Sequence, residues 1–255
     1  MPQLSLSTTD LTIRFGGHVA VNSVSCDFHS GETTVIVGPN GAGKTTYFNL
    51  ISGQLTASAG SVHKGGIDIT RMSPSTRAKR GLGRAFQLTN LFPQLTVLEN
   101  IRLAVQARAG AGWGLLRPAA SLTGLTQDAE KYLEAAKLTG KTTLPAAALP
   151  HGDQRKLEIA LLMAMEPDIY MFDEPTAGMS LDQAPAVLDL ISQIKSDTTK
   201  TVLLVEHKMD VVRALADRII VLHNGELLAD GAPDEVMSSQ IVRDVYLGTA
   251  TEETA

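Results

Sequence analysis

The sequence has little of what is typical of a secreted or nucleic-acid-binding protein. It contains one cysteine, Cys26, which excludes an internal disulfide and suits a reducing compartment. Its formal net charge is −5, which argues against a nucleic-acid-binding surface as the main function. We therefore expect no nucleic-acid partner.

The sequence also lacks an apolar run long enough to span a bilayer. Its longest apolar stretches, around residues 157–172, are interrupted by Glu166, Pro167 and Asp168. The first residues form neither the basic nor the apolar segment that directs export. The sequence thus predicts a chain with no transmembrane segment of its own, which can still dock on a membrane partner.

One glycine-rich stretch organises the rest of the chain. It follows the apolar run 33–37 and leads into residues 47–51, which gives the order strand, loop, helix that the phosphate-binding pattern G-x-x-x-x-G-K-[ST] requires. Backbone N–H groups and the helix N-terminus would surround an anion there. Lys44 is expected to reach the β- and γ-phosphates, and the Thr45 hydroxyl to ligate Mg²⁺. The predicted nucleotide-binding loop consists of Gly38, Pro39, Asn40, Gly41, Ala42, Gly43, Lys44, Thr45 and Thr46.

The sequence around this loop predicts an antiparallel β part, with strands at 4–15 and 19–29 and a hairpin at 60–69. Phe15 lies upstream of the loop, where an aromatic side chain either packs in the core or contacts the nucleotide. A short helix is predicted at 74–80. The basic side chains near it are expected to form a solvated face, with a partner or headgroup contact as the alternative. They are Arg77, Lys79, Arg80 and Arg84.

The pattern becomes helical after Gln87. Thr96 and Glu99 form a capping box that predicts a helix to about Arg108, and a second helix is predicted at 127–138. Few strand signals occur here. We therefore expect an α-helical subdomain inserted into an α/β core.

Strands and helices then alternate again. Strands are predicted at 168–172 and 201–205, helices at 182–195 and 208–216, and a hairpin at 218–229. At 255 residues the chain is long enough for a core with a subdomain. The predicted division is a nucleotide-binding core at 1–87 and 166–248, a helical subdomain at 88–165 and a disordered tail at 249–255.

Two adjacent carboxylates end the predicted strand at 168–172. The carboxyl ends of parallel strands form the sheet edge that also carries the phosphate loop. Asp173 can hold Mg²⁺ there through water, and Glu174 is placed to polarise a water for attack on the γ-phosphate. A strand that ends in acidic residues by chance is the alternative, and the phosphate loop on the same edge favours the catalytic interpretation.

Five motifs, in this order, resemble those of the ATP-binding subunits of ABC transporters: Gly38–Thr45, Gln87, 149–154, 173–176 and His207. The resemblance covers essentially the whole chain. It implies an α/β fold, namely a P-loop nucleoside triphosphate hydrolase core with an N-terminal antiparallel β part and an inserted α-helical subdomain. It also implies that Phe15 stacks on the adenine, that Gln87 serves Mg²⁺ and coupling to the transmembrane partner, and that His207 contacts the γ-phosphate.

The resemblance further implies a signature loop, which begins Leu-Ser-Gly-Gly in this family and reaches the γ-phosphate held by the opposite subunit. The loop here consists of Leu149, Pro150, His151, Gly152 and Asp153. Pro150 at the serine position removes a hydroxyl and an N–H. We therefore expect slower turnover, with His151 as a partial substitute donor. Ser180 is a second departure, because the family usually has Asp or Asn there.

Within the family, the chain most resembles importers of branched-chain amino acids and related amides or urea, through residues 14–21, 85–92, 151–160 and 245–248. This implies an ATPase with Glu174, His207 and Lys44 as catalytic residues. ATP and Mg²⁺ are its cofactors, and Thr45, Gln87 and Asp173 are the metal-binding residues.

The implied partners are transmembrane permease subunits, a second ATP-binding subunit in a homodimer or heterodimer, and indirectly a periplasmic solute-binding protein. The implied location is the cytoplasmic face of the inner (plasma) membrane, as a peripheral subunit. Urea or short-chain amides are the alternative cargo, slightly favoured by residues 175–179. Less favoured alternatives are a lipid or lipopolysaccharide export ATPase, a soluble ABC-type ATPase and a P-loop small-molecule kinase.

Overall fold

The computed structural model describes residues 3–85, 91–110, 119–180 and 182–244, without the side chains of 119–123. The chain divides into two compact units. The first comprises the described residues of Met1–Leu82, Asp168–Glu174 and Lys195–Ala255, and the second those of Gly83–Pro167 and Pro175–Ile194. Residues 175–194 thus group with the helical unit. The domain boundaries drawn from the sequence stay a prediction.

The first unit contains an antiparallel sheet of four strands in the order β2-β1-β4-β5. Its strands are β1 (Leu4–Phe15), β2 (His18–His29), β4 (Ala59–Lys64) and β5 (Ile67–Asp68). Buried and exposed positions roughly alternate along β1 and β2, as expected of a sheet that packs one face on a core. The predicted antiparallel β part is confirmed.

A second sheet has the order β10-β9-β3-β8-β7-β6. Its strands are β3 (Thr33–Val37), β6 (Leu82–Ala85), β7 (Ile169–Asp173), β8 (Thr201–Val205), β9 (Arg218–His223) and β10 (Glu226–Gly231). Strands β3, β7 and β8 are buried along their whole length, and β3 pairs in parallel with β8 and β9. The parallel pairing of β7 with β8 brings the carboxyl ends of β3, β7 and β8 to one edge.

The turn of the β9–β10 hairpin is hydrogen-bonded to both the phosphate loop and β2. Asn224 and Gly225 have φ of 48° and 79°, as a type I′ turn requires. The Gly225 N–H donates to Ala42 O at 3.0 Å, and Gly225 O accepts from Asn22 N at 2.8 Å. A Cβ at Gly225 would lie 2.7 Å from Ala20 O, so only glycine fits this close approach.

The helices of the first unit are α1 (Lys44–Ser52), α2 (Pro74–Lys79), α7 (Met209–Leu215) and α8 (Pro233–Ser238). Those of the second unit are α3 (Val97–Arg108), α4 (Ala119–Ala135), α5 (His151–Ala164) and, as far as Ile194, α6 (Ala184–Lys195). Helix α4 begins well before the predicted start at Gln127. The sequence has no capping signal at Ala119, and Gly124 is a weak helix former, so the prediction began too late. Within the described residues, none of the helices has the length and apolar character needed to cross a bilayer.

The prediction that Arg77 belongs to a solvated basic face is wrong, because this residue is buried. Its side chain is 1 % exposed. The guanidinium donates to the carbonyl oxygens of Leu50 (2.7 Å), Ile51 (2.5 Å), Thr70 (2.7 Å) and Met72 (3.1 Å). Two of these belong to the last turn of α1, which has no basic residue of its own. Arg77 therefore supplies the positive charge that a helix C-terminus favours. Burial lowers the pKa of Arg77 to about 10, so the side chain stays cationic at neutral pH.

The predicted capping box opens α3 in the second unit. Thr96 Oγ1 accepts from the Glu99 N–H at 3.2 Å, and Glu99 Oε2 accepts from the Thr96 N–H at 2.8 Å. Both bonds satisfy donors that a helix N-terminus otherwise leaves without partners.

We expect Thr96→Ala to lower the free energy of unfolding by about 1 kcal/mol, because the cap oxygen is lost. Chemical denaturation followed by circular dichroism measures the change. Thr96→Ser keeps the hydroxyl and serves as the control, with stability close to wild type. Equal stability of all three proteins would show that the box does not hold the start of α3.

Candidate nucleotide-binding site

The phosphate loop joins β3 to α1 through glycines that no other residue can replace without strain. Gly38 has φ 150°, and a Cβ there would lie 2.2 Å from Leu222 O. Gly43 has φ 94° and precedes the first residue of α1, and a Cβ there would lie 2.5 Å from Ala20 O. The loop therefore lies against β9 and β2, with its N–H groups at the start of a helix.

Lys44 holds its amino group on this loop. The side chain is buried, and Nζ donates to Gly38 O at 2.7 Å and Pro39 O at 2.9 Å. Burial lowers the pKa of Lys44, while the nearby carboxylates of Glu174 and Asp173 act to raise it. The predicted site residues Lys44, Asp173 and Glu174 therefore lie close enough for the two carboxylates to act on the charge of the ammonium group.

The two carboxylates lie where β7 ends. Asp173 is buried, and the Glu174 N–H donates to Val205 O at 3.0 Å. Glu174 has φ 46°, a left-handed conformation that is uncommon for residues other than glycine. Such backbone conformations are concentrated at functional positions, where the surrounding fold maintains them.

His207 follows β8 at the same edge. Its side chain is 54 % exposed, and Nδ1 lies 3.6 Å from Glu174 Oε1. The preceding Glu206 is 1 % exposed, and its Oε2 accepts the backbone N–H of His207 at 2.9 Å and of Lys208 at 3.1 Å. This carboxylate, which belongs to none of the predicted site motifs, holds the main chain of His207 in place. The sequence signal that could have indicated this role is a glutamate directly after a buried apolar strand.

Phe15 lies at the end of β1 and is 50 % exposed. Of the two roles that its position left open, core packing does not apply, because half of the side chain faces solvent. Its ring is available for a contact outside the core.

In the second unit, the predicted signature loop leads into α5. Leu149 is buried, Pro150 precedes the first residue of the helix with φ −57°, and His151 is exposed. Pro150 makes no side-chain cap hydrogen bond. Gly152 is buried, and a Cβ there would lie 3.1 Å from Gln183 Oε1.

Asp153 completes the loop and is paired with two lysines. Its carboxylate contacts Lys141 Nζ on one oxygen and Lys156 Nζ on the other. Burial would raise the pKa of Asp153, but the hydrogen bonds from Lys141 and Lys156 bring it below its usual value. Asp153 is therefore ionised at neutral pH, and its charge is balanced within the second unit.

Some predicted residues lie outside the described part of the chain. Gln87 is among them, so its contacts with Mg²⁺ and with a permease stay predictions. The same holds for the motif at 245–248 and the predicted tail at 249–255.

Two protein-family models match this sequence. The ABC transporter model matches residues 21–177, and the model described as branched-chain amino acid ATP-binding cassette transporter matches residues 226–252. The high-affinity branched-chain amino acid transport ATP-binding protein LivG of Salmonella typhimurium is 36 % identical over 255 residues, covering 98 % of this chain and 100 % of its own length. BraF of Pseudomonas aeruginosa, of the same description, is 36 % identical over 250 residues, covering 96 % and 98 %.

Solved structures of similar fold are ATP-binding cassettes. A nucleotide-free cassette from an ABC transporter superposes with a TM-score of 0.80 at 27 % identity, covering 96 % of this chain and 99 % of that one. A cassette in its ADP conformation gives 0.80 at 28 % identity, with the same coverage. A dimeric bacterial ABC transporter cassette gives 0.75 at 27 % identity, covering 89 % and 98 %. The predicted P-loop nucleoside triphosphate hydrolase fold is confirmed.

Proposed function

This chain belongs to the ATP-binding proteins of the ABC transporter family, and from that premise we propose that it binds and hydrolyses ATP to drive an importer of branched-chain amino acids. The observation that carries the ATPase assignment is the convergence of Lys44, Glu174 and His207 at one sheet edge. The assignment of LivG and BraF to branched-chain amino acid transport and the family match at residues 226–252 support the cargo. Urea or short-chain amides remain the alternative cargo.

Hydrolysis in this proposal is mainly positioning and charge neutralisation. The N–H groups of the loop Gly38–Thr46 hold the phosphates, and Lys44 offsets charge on the β- and γ-phosphates. Glu174 accepts a proton from the water that attacks the γ-phosphorus, and ADP departs with the bridging oxygen. His207 contacts the γ-phosphate, and Phe15 stacks on the adenine.

We further propose that Mg²⁺ accompanies the nucleotide, held by the Thr45 hydroxyl, by Asp173 through water and by Gln87. The donors fit, because Mg²⁺ usually retains waters and phosphate oxygens and takes only one or two protein groups. When bound, Mg²⁺ neutralises charge on the phosphates.

The functional assembly in this proposal contains two ATP-binding subunits, identical or closely related. Each signature loop, Leu149 to Asp153, faces the nucleotide of the other subunit. The dimeric cassette among the structural relatives supports the pairing of two subunits. Gln87 and the helical subdomain contact permease subunits, which receive solute from a periplasmic binding protein. The site of action is the cytoplasmic face of the inner membrane.

Reconstitution tests both the activity and the cargo. The chain is coexpressed and copurified with candidate permease subunits from its own genome, placed in liposomes with the corresponding solute-binding protein, and assayed for phosphate release. We expect leucine, isoleucine or valine to stimulate hydrolysis. Stimulation by urea or acetamide alone would select the alternative cargo, and a complex that binds no ATP would refute the proposed function.

Pro150→Ser is expected to raise ATP turnover in this complex by about tenfold, because it restores one hydrogen bond to a charged phosphate. Pro150→Ala is the matched control, since it restores the N–H without the hydroxyl. An unchanged rate in Pro150→Ser would indicate that the loop already has the donors it needs, with His151 as a candidate.

A further inference from the structure

The β1–β2 hairpin ends in two exposed ring side chains, of which the proposed mechanism uses only one. Phe15 and His18 are both exposed and lie directly opposite each other in the antiparallel pair, across the Gly16-Gly17 turn. Side chains of directly opposite residues project from the same face, with Cβ atoms about 5 Å apart. The hairpin tip therefore presents a phenyl ring and an imidazole ring side by side.

A bulge in β2 determines which way the His18 ring faces. Ile13 pairs with Val21, but the next pair is Arg14 with Val19, so Ala20 is the extra residue. Bulges change the direction of side chains and often occur beside functional sites. Phe15 shares the face of Ile13 because it lies two residues further along β1, and the bulge places His18, and not Val19, opposite Phe15 on that face.

That face is the one that packs on the phosphate loop. Ile13 and Val21 are buried in one hydrophobic cluster with Ala42 of the loop. A Cβ on Gly43 would lie 2.5 Å from Ala20 O and 3.6 Å from Val21 Cγ2. His18 is two residues from Ala20, which is about 7 Å along a strand.

We propose that His18 is a second base-contacting residue, whose imidazole ring packs against the base of the nucleotide beside Phe15. This inference rests on the proposed function. A nucleoside triphosphate with its phosphates in the loop extends its ribose and base beyond them, and the hairpin tip offers aromatic surface next to that loop. The contact is made by a flat ring, so phenylalanine can replace the imidazole and glutamine cannot.

Calorimetric titration of the full-length chain with ADP and with inorganic tripolyphosphate tests the contact, since tripolyphosphate has no base. We expect His18→Ala and His18→Gln to weaken ADP binding about three- to tenfold, the range of one aromatic contact. His18→Phe should bind ADP like wild type. Tripolyphosphate should bind all four proteins equally. His29→Ala, at the other end of the same strand, is the matched control and should behave as wild type.

The outcomes separate this inference from the proposed function. Wild-type ADP affinity in His18→Ala, together with weakened binding in Phe15→Ala, would overturn the role of His18 and leave nucleotide binding intact. Equal weakening of ADP and tripolyphosphate in His18→Ala would also overturn it, because the effect would then lie on the phosphate loop. A wild-type chain that binds neither ligand would refute the proposed function itself.

Discussion

Glu174→Gln is expected to reduce ATP hydrolysis by at least about a hundredfold, the usual contribution of a general base, while ATP still binds. The amide keeps the size of the side chain but cannot accept the proton of the attacking water. The phosphate loop and Lys44 are unchanged, so the nucleotide should remain bound between two subunits. The variant should therefore accumulate as an ATP-loaded dimer.

Phosphate release measures the loss of activity, and size-exclusion chromatography with ATP measures the dimer. Glu134→Gln is the matched control, because it makes the same charge change at an exposed position of α4. A hydrolysis rate near wild type in Glu174→Gln would exclude Glu174 as the base. Loss of hydrolysis without an ATP-loaded dimer would contradict the arrangement in which two subunits enclose the nucleotide.

Arg77→Met is expected to lower the free energy of unfolding by about 3 to 5 kcal/mol, although the residue lies outside the proposed site. Methionine fills a similar space but donates no hydrogen bond. The carbonyl oxygens of Leu50, Ile51, Thr70 and Met72 would lose their bonds to the guanidinium. Because α1 begins at the phosphate loop, we also expect weaker nucleotide binding.

Urea denaturation of the purified chain measures this loss. Arg80→Met removes an exposed arginine of the same short stretch and should change stability by less than about 0.5 kcal/mol. Arg77→Lys should fall between the two, since one ammonium group cannot reach four carbonyls. Equal stability of Arg77→Met and Arg80→Met would show that the carbonyl contacts contribute nothing, and that the basic stretch behaves as the solvated face expected from sequence.

The sequence alone was sufficient to predict the structure of those segments that are determined by local rules. The strands β3 and β8 are uninterrupted buried runs, and their limits in the structure are those predicted. The Asn224-Gly225 turn requires two residues that tolerate positive φ, and the pair is recognisable without the fold. The phosphate loop is likewise local, because its glycines, Lys44 and Thr45 are consecutive in the chain.

The sequence could not show contacts between residues far apart along the chain. Arg77 has the same charge as its exposed neighbours, and only the fold brings it to the end of α1. The distance between Glu174 and His207 depends on the parallel pairing of β7 with β8. The direction in which His18 faces depends on a register shift against β1. Local preferences of the backbone act over a few residues and can be predicted from them, whereas burial, pairing register and charge environment depend on the whole fold.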